Sequence, residues 1–320
     1  MECTFAIVAV PDSFLYAKPG RTGEVNPSEM TDEVLSGWAL QVLKKNDGWA
    51  YVRTFYGYEG WIRETDIRAV TRSDLESRQD KTRFMQLGAR SADLHAEPTV
   101  QGCILETLLQ DSLVELLDSR KDWSLIKSSA GVSGWVSASA LKPRKDCDGF
   151  LLEKANSGSS DTSGVFTSPA CDKPSWFLKQ AEAVFSSQGE NQLREGAARS
   201  ALSYLGCAYR WGGKSPLGID CSGLTFMSWM EQGILIYRDA HIKDEYPVRE
   251  ISRDELKKGD LIFFPGHVGM YLENDRFVHA TGYAASFCVC VSSLNPSDPD
   301  YRADLAGNIS MCGSVIPVDQ

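Results

Sequence analysis

The sequence predicts a multi-domain α+β protein, with two small all-β units first and a mixed helix-and-strand domain last. Three observations carry this. An internal repeat fills the first half of the chain, and a run rich in glycine, serine and aspartate follows it. Helix-period segments and then strand-period segments occupy the remainder. At 320 residues the chain exceeds one ordinary core.

The repeat is read from its tryptophans. Asp47-Gly48-Trp49 followed by Gly60-Trp61-Ile62 matches Lys121-Asp122-Trp123 followed by Gly134-Trp135-Val136. Each pair is twelve residues apart, and the pairs are offset by 74. Upstream, Leu15-Tyr16-Ala17-Lys18-Pro19 matches Leu94-His95-Ala96-Glu97-Pro98 at an offset of 79, so the first copy carries a longer loop between Pro19 and Trp49. The two copies span residues 1–72 and 83–143. Residues 39–43, 49–53, 112–117 and 123–127 are strand-length, β-rich and roughly alternating. Asn46-Asp47-Gly48 is a turn signal between two of them. His95 stands where the first copy has Tyr16, which marks it as structural.

Residues 144–189 read as a linker and lead-in helix. The run from Asn156 to Gly164 has no apolar period, and a helical pattern starts at Trp176. The last domain, residues 190–320, opens with a second helix whose Ala197, Ala198, Ala201 and Leu202 share a face.

Composition narrows the function. A net charge of −10 leaves no basic stripe to displace counterions from phosphates, so no nucleic-acid partner is expected. No apolar run is long enough to span a membrane. Phe5 to Val10 is short and lacks the basic flank of a signal peptide, so it reads as a first strand. The nine cysteines are odd in number and scattered without a CxxC, which fits reduced thiols in a cytoplasmic setting, or else a leader removed ahead of Met1. Cys288 and Cys290 share one face of a strand. They read as packing rather than metal ligands, since zinc sites draw four ligands at recognisable spacing. No metal or cofactor is implied, and the oligomeric state is not legible.

Chemistry concentrates in the last third. Tyr209-Arg210-Trp211-Gly212-Gly213 is a tight aromatic turn, and Asp220-Cys221-Ser222-Gly223-Leu224 opens a helix running to about Gln232. Gly259 to Phe264 is a turn feeding a buried strand. His267-Val268-Gly269-Met270-Tyr271 and Phe277-Val278-His279-Ala280 flank a turn at Asn274-Asp275. A cysteine nucleophile needs its thiolate stabilised, and the first turn of a helix offers free N–H groups and the positive dipole end. A histidine then serves as base and proton donor, and a third polar group orients it. A hairpin can bring His267 and His279 to one face. His241 has no motif around it and reads as surface.

These five ordered segments resemble the NlpC/P60 peptidases, a papain-like α+β fold, and the two repeats resemble bacterial SH3 (SH3b) barrels. The resemblance implies Cys221 as nucleophile, His267 as general base and acid, His279 as orienting partner, and Tyr209 beside the nucleophile. The combination is similar to the γ-D-glutamyl-L-diamino acid endopeptidases of the dipeptidyl-peptidase VI type. These cut murein peptides carrying a free N-terminal L-alanine and release L-Ala-D-Glu. In that group the first barrel closes the cleft. The resemblance thus implies substrate-binding roles for Tyr58 and Glu29, with Asp220 and Ser222 completing the ammonium pocket. Arg238-Asp239-Ala240 also matches the family without a role legible in sequence. Asp260 reads as orienting its turn. The short Phe264-Pro265-Gly266 loop departs from many relatives, which bears on the shape of the diamino-acid pocket. Two alternatives stay open: a wall-tethered hydrolase using its SH3b domains to bind peptidoglycan, and an N-acetylmuramoyl-L-alanine amidase or acyltransferase on the same fold.

Overall fold

The structure, a computed structural model, describes residues 4–20, 28–156 and 175–315. Most of the Gly/Ser/Asp run lies outside them. The chain divides into two compact units, residues 1–158 and 159–320.

In the first unit, β1 (Thr4–Val8), β2 (Asp12–Tyr16), β3 (Met30–Leu35), β4 (Ala39–Asn46), β5 (Trp49–Thr54), β6 (Glu59–Arg63) and β7 (Ile67–Val70) form one sheet in the order β3-β2-β6-β5-β4-β1-β7. After a short helix α1 (Arg72–Ser77), the strands β8 (Phe84–Leu87), β9 (Ser91–His95), β10 (Ile104–Leu109), β11 (Leu113–Arg120), β12 (Trp123–Lys127), β13 (Ser133–Ser137) and β14 (Leu141–Pro143) repeat that order position for position. The repeat extends to irregularities. A bulge falls between Val42 and Lys44 in the first sheet and between Leu116 and Asp118 in the second. Tyr16 pairs with Trp61 and meets Trp49 edge-on, while His95 pairs with Trp135 and meets Trp123 edge-on. His95 is therefore a barrel residue.

Alternation explains the cores. In β5 the inward Ala50, Val52 and Thr54 are buried, and in β12 Ser124 and Ile126 are. The repeats dock within the unit through Leu113 N–H donating to the Ser36 carbonyl at 2.9 Å and Trp38 Nε1–H donating to the Asp111 carbonyl at 3.0 Å. Helix α2 (Gly149–Asn156) follows a buried cluster in which Arg144 bonds both Asp146 and Asp148.

The second unit opens with α3 (Trp176–Gln188) and α4 (Glu190–Ser203). A two-strand ribbon, β15 (Lys214–Ser215) and β16 (Gly218–Ile219), leads into α5 (Cys221–Met230). The remaining strands are β17 (Arg249–Ile251), β18 (Leu261–Phe264), β19 (His267–Glu273), β20 (Arg276–Ala280), β21 (Val289–Ser293) and β22 (Met311–Ser314), with α6 (Ala303–Ala306) before the last. They build an antiparallel sheet ordered β17-β22-β18-β19-β20-β21, with α5 packed on β19 and β20.

All ten residues of α5 are buried, as expected of a helix apolar on every side, and its hydroxyls are satisfied locally. Ser228 donates to the Leu224 carbonyl at 2.6 Å and Thr225 to that of Ser222 at 3.0 Å. Burying a side chain such as Phe226 contributes roughly 1.5–3 kcal/mol. The helix that carries the nucleophile is thereby fixed from all directions. Asp260, buried ahead of β18, accepts from Arg194 Nη1 at 2.6 Å and from the Lys257 N–H at 2.7 Å, so it shapes the turn it was expected to orient.

Candidate active site

Cys221 is the first residue of α5, buried and held by its neighbours in sequence. Asp220 is the N-cap: extended in backbone, its Oδ1 accepts the Gly223 N–H at 2.6 Å. Its Oδ2 accepts the Gly212 N–H at 2.8 Å, which ties the aromatic turn to the nucleophile helix. Gly223 has to be glycine, because a Cβ there would sit 2.3 Å from the Gly213 carbonyl oxygen.

Arg238 now has a role. Its guanidinium forks onto Asp220, Nη1 to Oδ1 and Nη2 to Oδ2 both at 3.0 Å, and Nη1 also donates to Ser222 Oγ at 2.7 Å. The arginine is buried. Asp220 and Ser222, expected to line an ammonium pocket, also hold the nucleophile turn.

The histidines come from the β19–β20 hairpin, and a bulge decides their sides. Asn274 and Asp275 both take positive φ, 52° and 59°, as a type I′ turn requires. Glu273 opposes Arg276, and continuing that register would set His279 opposite Met270, on the face away from His267. Instead the register shifts between Tyr271 and Glu273, so Tyr271 opposes Phe277 and Met270 opposes Val278. His279 then falls opposite Gly269, on the side of His267. A plain hairpin, as first expected, would have failed. Gly269 leaves the needed room, since a Cβ there would lie 2.7 Å from Phe277 Cδ2 and 3.4 Å from His279 Cβ.

His267 Nε2 and His279 Nδ1 are 2.8 Å apart. The backbones of Val268, the next residue, and of Ser222 lie close enough to Cys221 to favour its thiolate. On the far side, His279 Nε2 meets Ser292 Oγ at 3.1 Å and Cys290 Sγ at 3.6 Å, both from β21. Tyr209 lies close enough to Cys221 for the two to interact electrostatically, with its ring edge-on to Phe287.

Electrostatics departs from the expected stabilised thiolate. Burial, followed by the Asp220 carboxylate, pushes the Cys221 thiol up to about 11, and the backbone N–H groups only partly oppose this. Burial, then the Arg302 cation, brings His267 down to about 4; burial, then His267, brings His279 down to about 3. Burial raises the Tyr209 hydroxyl, with Cys221 and Asp220 adding to it.

Tyr58 and Glu29 belong to the first unit. Tyr58 sits in the β5–β6 turn, where its carbonyl accepts the Thr54 N–H at 2.8 Å, and Glu29 is exposed just ahead of β3. Val132 occupies the same turn in the second repeat, accepting the Ser128 N–H at 2.9 Å. The turn itself thus has no need of tyrosine. Sequence reasoning assigned nothing to Ser292 and left Arg238 without a role; both act across long stretches of chain, and no local pattern marks them. Among the described residues, no cluster of three or more His, Cys, Asp or Glu is arranged to hold a metal.

Comparison with known proteins agrees with this geometry. Residues 206–297 match the NlpC/P60 family, residues 90–142 a bacterial SH3 domain, and residues 25–67 a bacterial dipeptidyl-peptidase SH3 domain. The chain is 34% identical over 318 residues to dipeptidyl-peptidase 6 of Lysinibacillus sphaericus, a match covering 97% of this chain and 99% of that one. It is 32% identical over 144 residues to a γ-D-glutamyl-L-lysine dipeptidyl-peptidase of Bacillus cereus, covering 41% of each. The fold is similar to the crystal structure of an NlpC/P60 family protein from Bacillus cereus, with a TM-score of 0.67 at 18% identity over 98% of this chain and 100% of that one. Likeness along nearly the whole length, joined to a buried cysteine at a helix start and a histidine pair beside it, makes the chain a member of the NlpC/P60 family of cysteine peptidases, with two bacterial SH3 domains ahead of its catalytic domain.

Proposed function

We propose that the enzyme hydrolyses the bond between γ-D-glutamate and a diamino acid, diaminopimelate or lysine, in murein peptides with a free N-terminal L-alanine. The observation that carries this is the whole-length likeness to a dipeptidyl-peptidase, barrels included. In this reading Cys221 Sγ gives its proton to Nδ1 of His267 and attacks the γ-carbonyl carbon. The oxyanion is received by the Cys221 backbone N–H at the start of α5, with Tyr209 beside it. His267 passes its proton to the leaving amine, whose bond to the carbonyl breaks, leaving a thioester on Cys221. His267 then takes a proton from water, the hydroxide adds to the thioester, and L-Ala-D-Glu departs as Cys221 regains its proton.

His279 orients His267 through the 2.8 Å bond between them. Substrate binding is assigned to Tyr58 and Glu29 of the first unit and to Asp220 and Ser222 of the second. An ammonium on Asp220 has to share the oxygens with Arg238, so it adds a charge contact rather than replacing the ion pair. The tyrosine in the first barrel's turn, against valine in the second, supports a task for that one copy. The proposal includes a reducing cytoplasmic setting, supported by seven free thiols among the described residues.

The test is mass spectrometry of L-Ala-γ-D-Glu-meso-diaminopimelate and its N-acetylated form after incubation with wild type and Cys221→Ala. Cleavage of the free peptide alone, lost in the variant, is expected. Equal cleavage of both peptides removes the free-amine requirement, and cleavage by Cys221→Ala removes the nucleophile.

A further inference from the structure

We infer that Ser292, backed by Cys290, is a positioning residue that sets the direction of the proton chain through His279 and His267. The inference rests on the triad reading above. It follows from counting donors. For His267 to accept the thiol proton at Nδ1, its other nitrogen, Nε2, has to carry the hydrogen and donate to Nδ1 of His279, 2.8 Å away. His279 Nδ1 is then an acceptor, so its proton sits on Nε2. A buried N–H needs an acceptor, and Ser292 Oγ stands 3.1 Å from that nitrogen.

A hydroxyl can also donate, which would reverse the chain. With Ser292 donating to Nε2, His279 would carry its proton on Nδ1 and hand it towards His267. That would place the His267 hydrogen on Nδ1, facing the thiol, and the base would be lost. What decides the direction is where the serine hydrogen goes. Cys290 pairs directly with His279 across the β20–β21 register, and Ser292 lies two residues further along the same face. The Cys290 sulfur lies 3.6 Å from the same imidazole nitrogen, on the strand face that Ser292 shares. With its hydrogen turned towards that side, the hydroxyl would present a lone pair to His279 Nε2, 3.1 Å away. Ser292 is buried and Cys290 half-buried, so water competes weakly at the serine.

The experiment is steady-state kinetics on the free tripeptide for wild type, Cys221→Ala, Ser292→Ala, Cys290→Ser and the double variant Ser292→Ala/Cys290→Ser. Ser292→Ala is expected to lower kcat about tenfold or more with KM within about twofold, since the interaction acts on the base and not on substrate binding. The double variant is expected to recover part of that loss, because the hydroxyl introduced opposite His279 supplies the missing acceptor. The same variants are followed by ¹⁵N NMR of the histidines, where wild type is expected to show His279 protonated on Nε2. An inactive Cys221→Ala beside a fully active Ser292→Ala would overturn this inference and leave the triad standing. An active Cys221→Ala would overturn the triad reading first. A loss in Ser292→Ala with unchanged histidine tautomers and no recovery in the double variant reduces Ser292 to packing.

Discussion

Cys221 is held by a buried ion pair, whereas His267 is held by a buried chain of neutral groups. Around the nucleophile, Asp220 and Arg238 meet fork to fork and tie two backbone N–H groups into one joint. Around the base, His279 is met by Ser292 and Cys290, none of them a carboxylate or a cation. The contrast follows from what each side has to do. The nucleophile's helix needs rigid placement, and a bidentate pair resists displacement. The base has to accept and return a proton, and a fixed charge touching it would bias it one way. A neutral partner orients the ring without adding a further fixed charge.

Removing either reacting group should have the largest effect. His267→Ala is expected to lower kcat by roughly 10²–10⁴-fold, read by steady-state kinetics, with Cys221→Ala lower still. Comparable activity in His267→Ala would mean the base lies elsewhere and the comparison has no second side.

Next comes the ion pair. Arg238→Met strands a buried carboxylate and is expected to destabilise the catalytic unit by about 3–5 kcal/mol in urea denaturation. Asp220→Asn/Arg238→Met together should cost less, because no lone charge remains. Equal cost in the single and double variants would show that Arg238 works through packing alone.

The neutral side predicts a pH effect of opposite origin. The unfolded chain protonates its histidines near 6.5, whereas the folded chain holds His267 neutral to about 4 and His279 to about 3. Between those limits the unfolded state binds more protons, so stability is full above pH 6.5 and is lost as pH falls towards 3. The urea midpoint followed from pH 7 to pH 4 should fall, and His279→Gln should flatten that slope. An unchanged slope in the variant would place the acid sensitivity outside the base.

Gly269→Ala should have the smallest effect. Its added methyl meets Phe277 and crowds His279. A cost of about 1–3 kcal/mol is expected, with kcat reduced more than KM is raised. An unperturbed kcat would show that the hairpin can yield without moving the ring.

Local features were legible in the chain. The Trp49/Trp61 and Trp123/Trp135 spacing announced the repeat because adjacent hairpin strands keep fixed register, and both sheets adopted one strand order. Asp220 to Leu224 announced a helix start, and the cap that Asp220 supplies there is a contact between near neighbours. The side on which His279 falls was less legible. The two histidines share a face as expected, but through the shift between Tyr271 and Glu273 and not through the turn residues alone. Bulges answer to the packing of both sheet faces, which no short window contains.

The sequence by itself determined the two β repeats, the helix that presents Cys221 and the hairpin that carries His267 and His279. Only the tertiary structure decided that Arg238 closes on Asp220, that Ser292 and Cys290 stand behind His279, and that burial outweighs the helix start in setting the Cys221 thiol. The physical reason is range. Caps, turns and strand alternation are fixed by neighbours in the chain. Ion pairing, hydrogen-bond direction and desolvation depend on groups that meet only when the chain has folded.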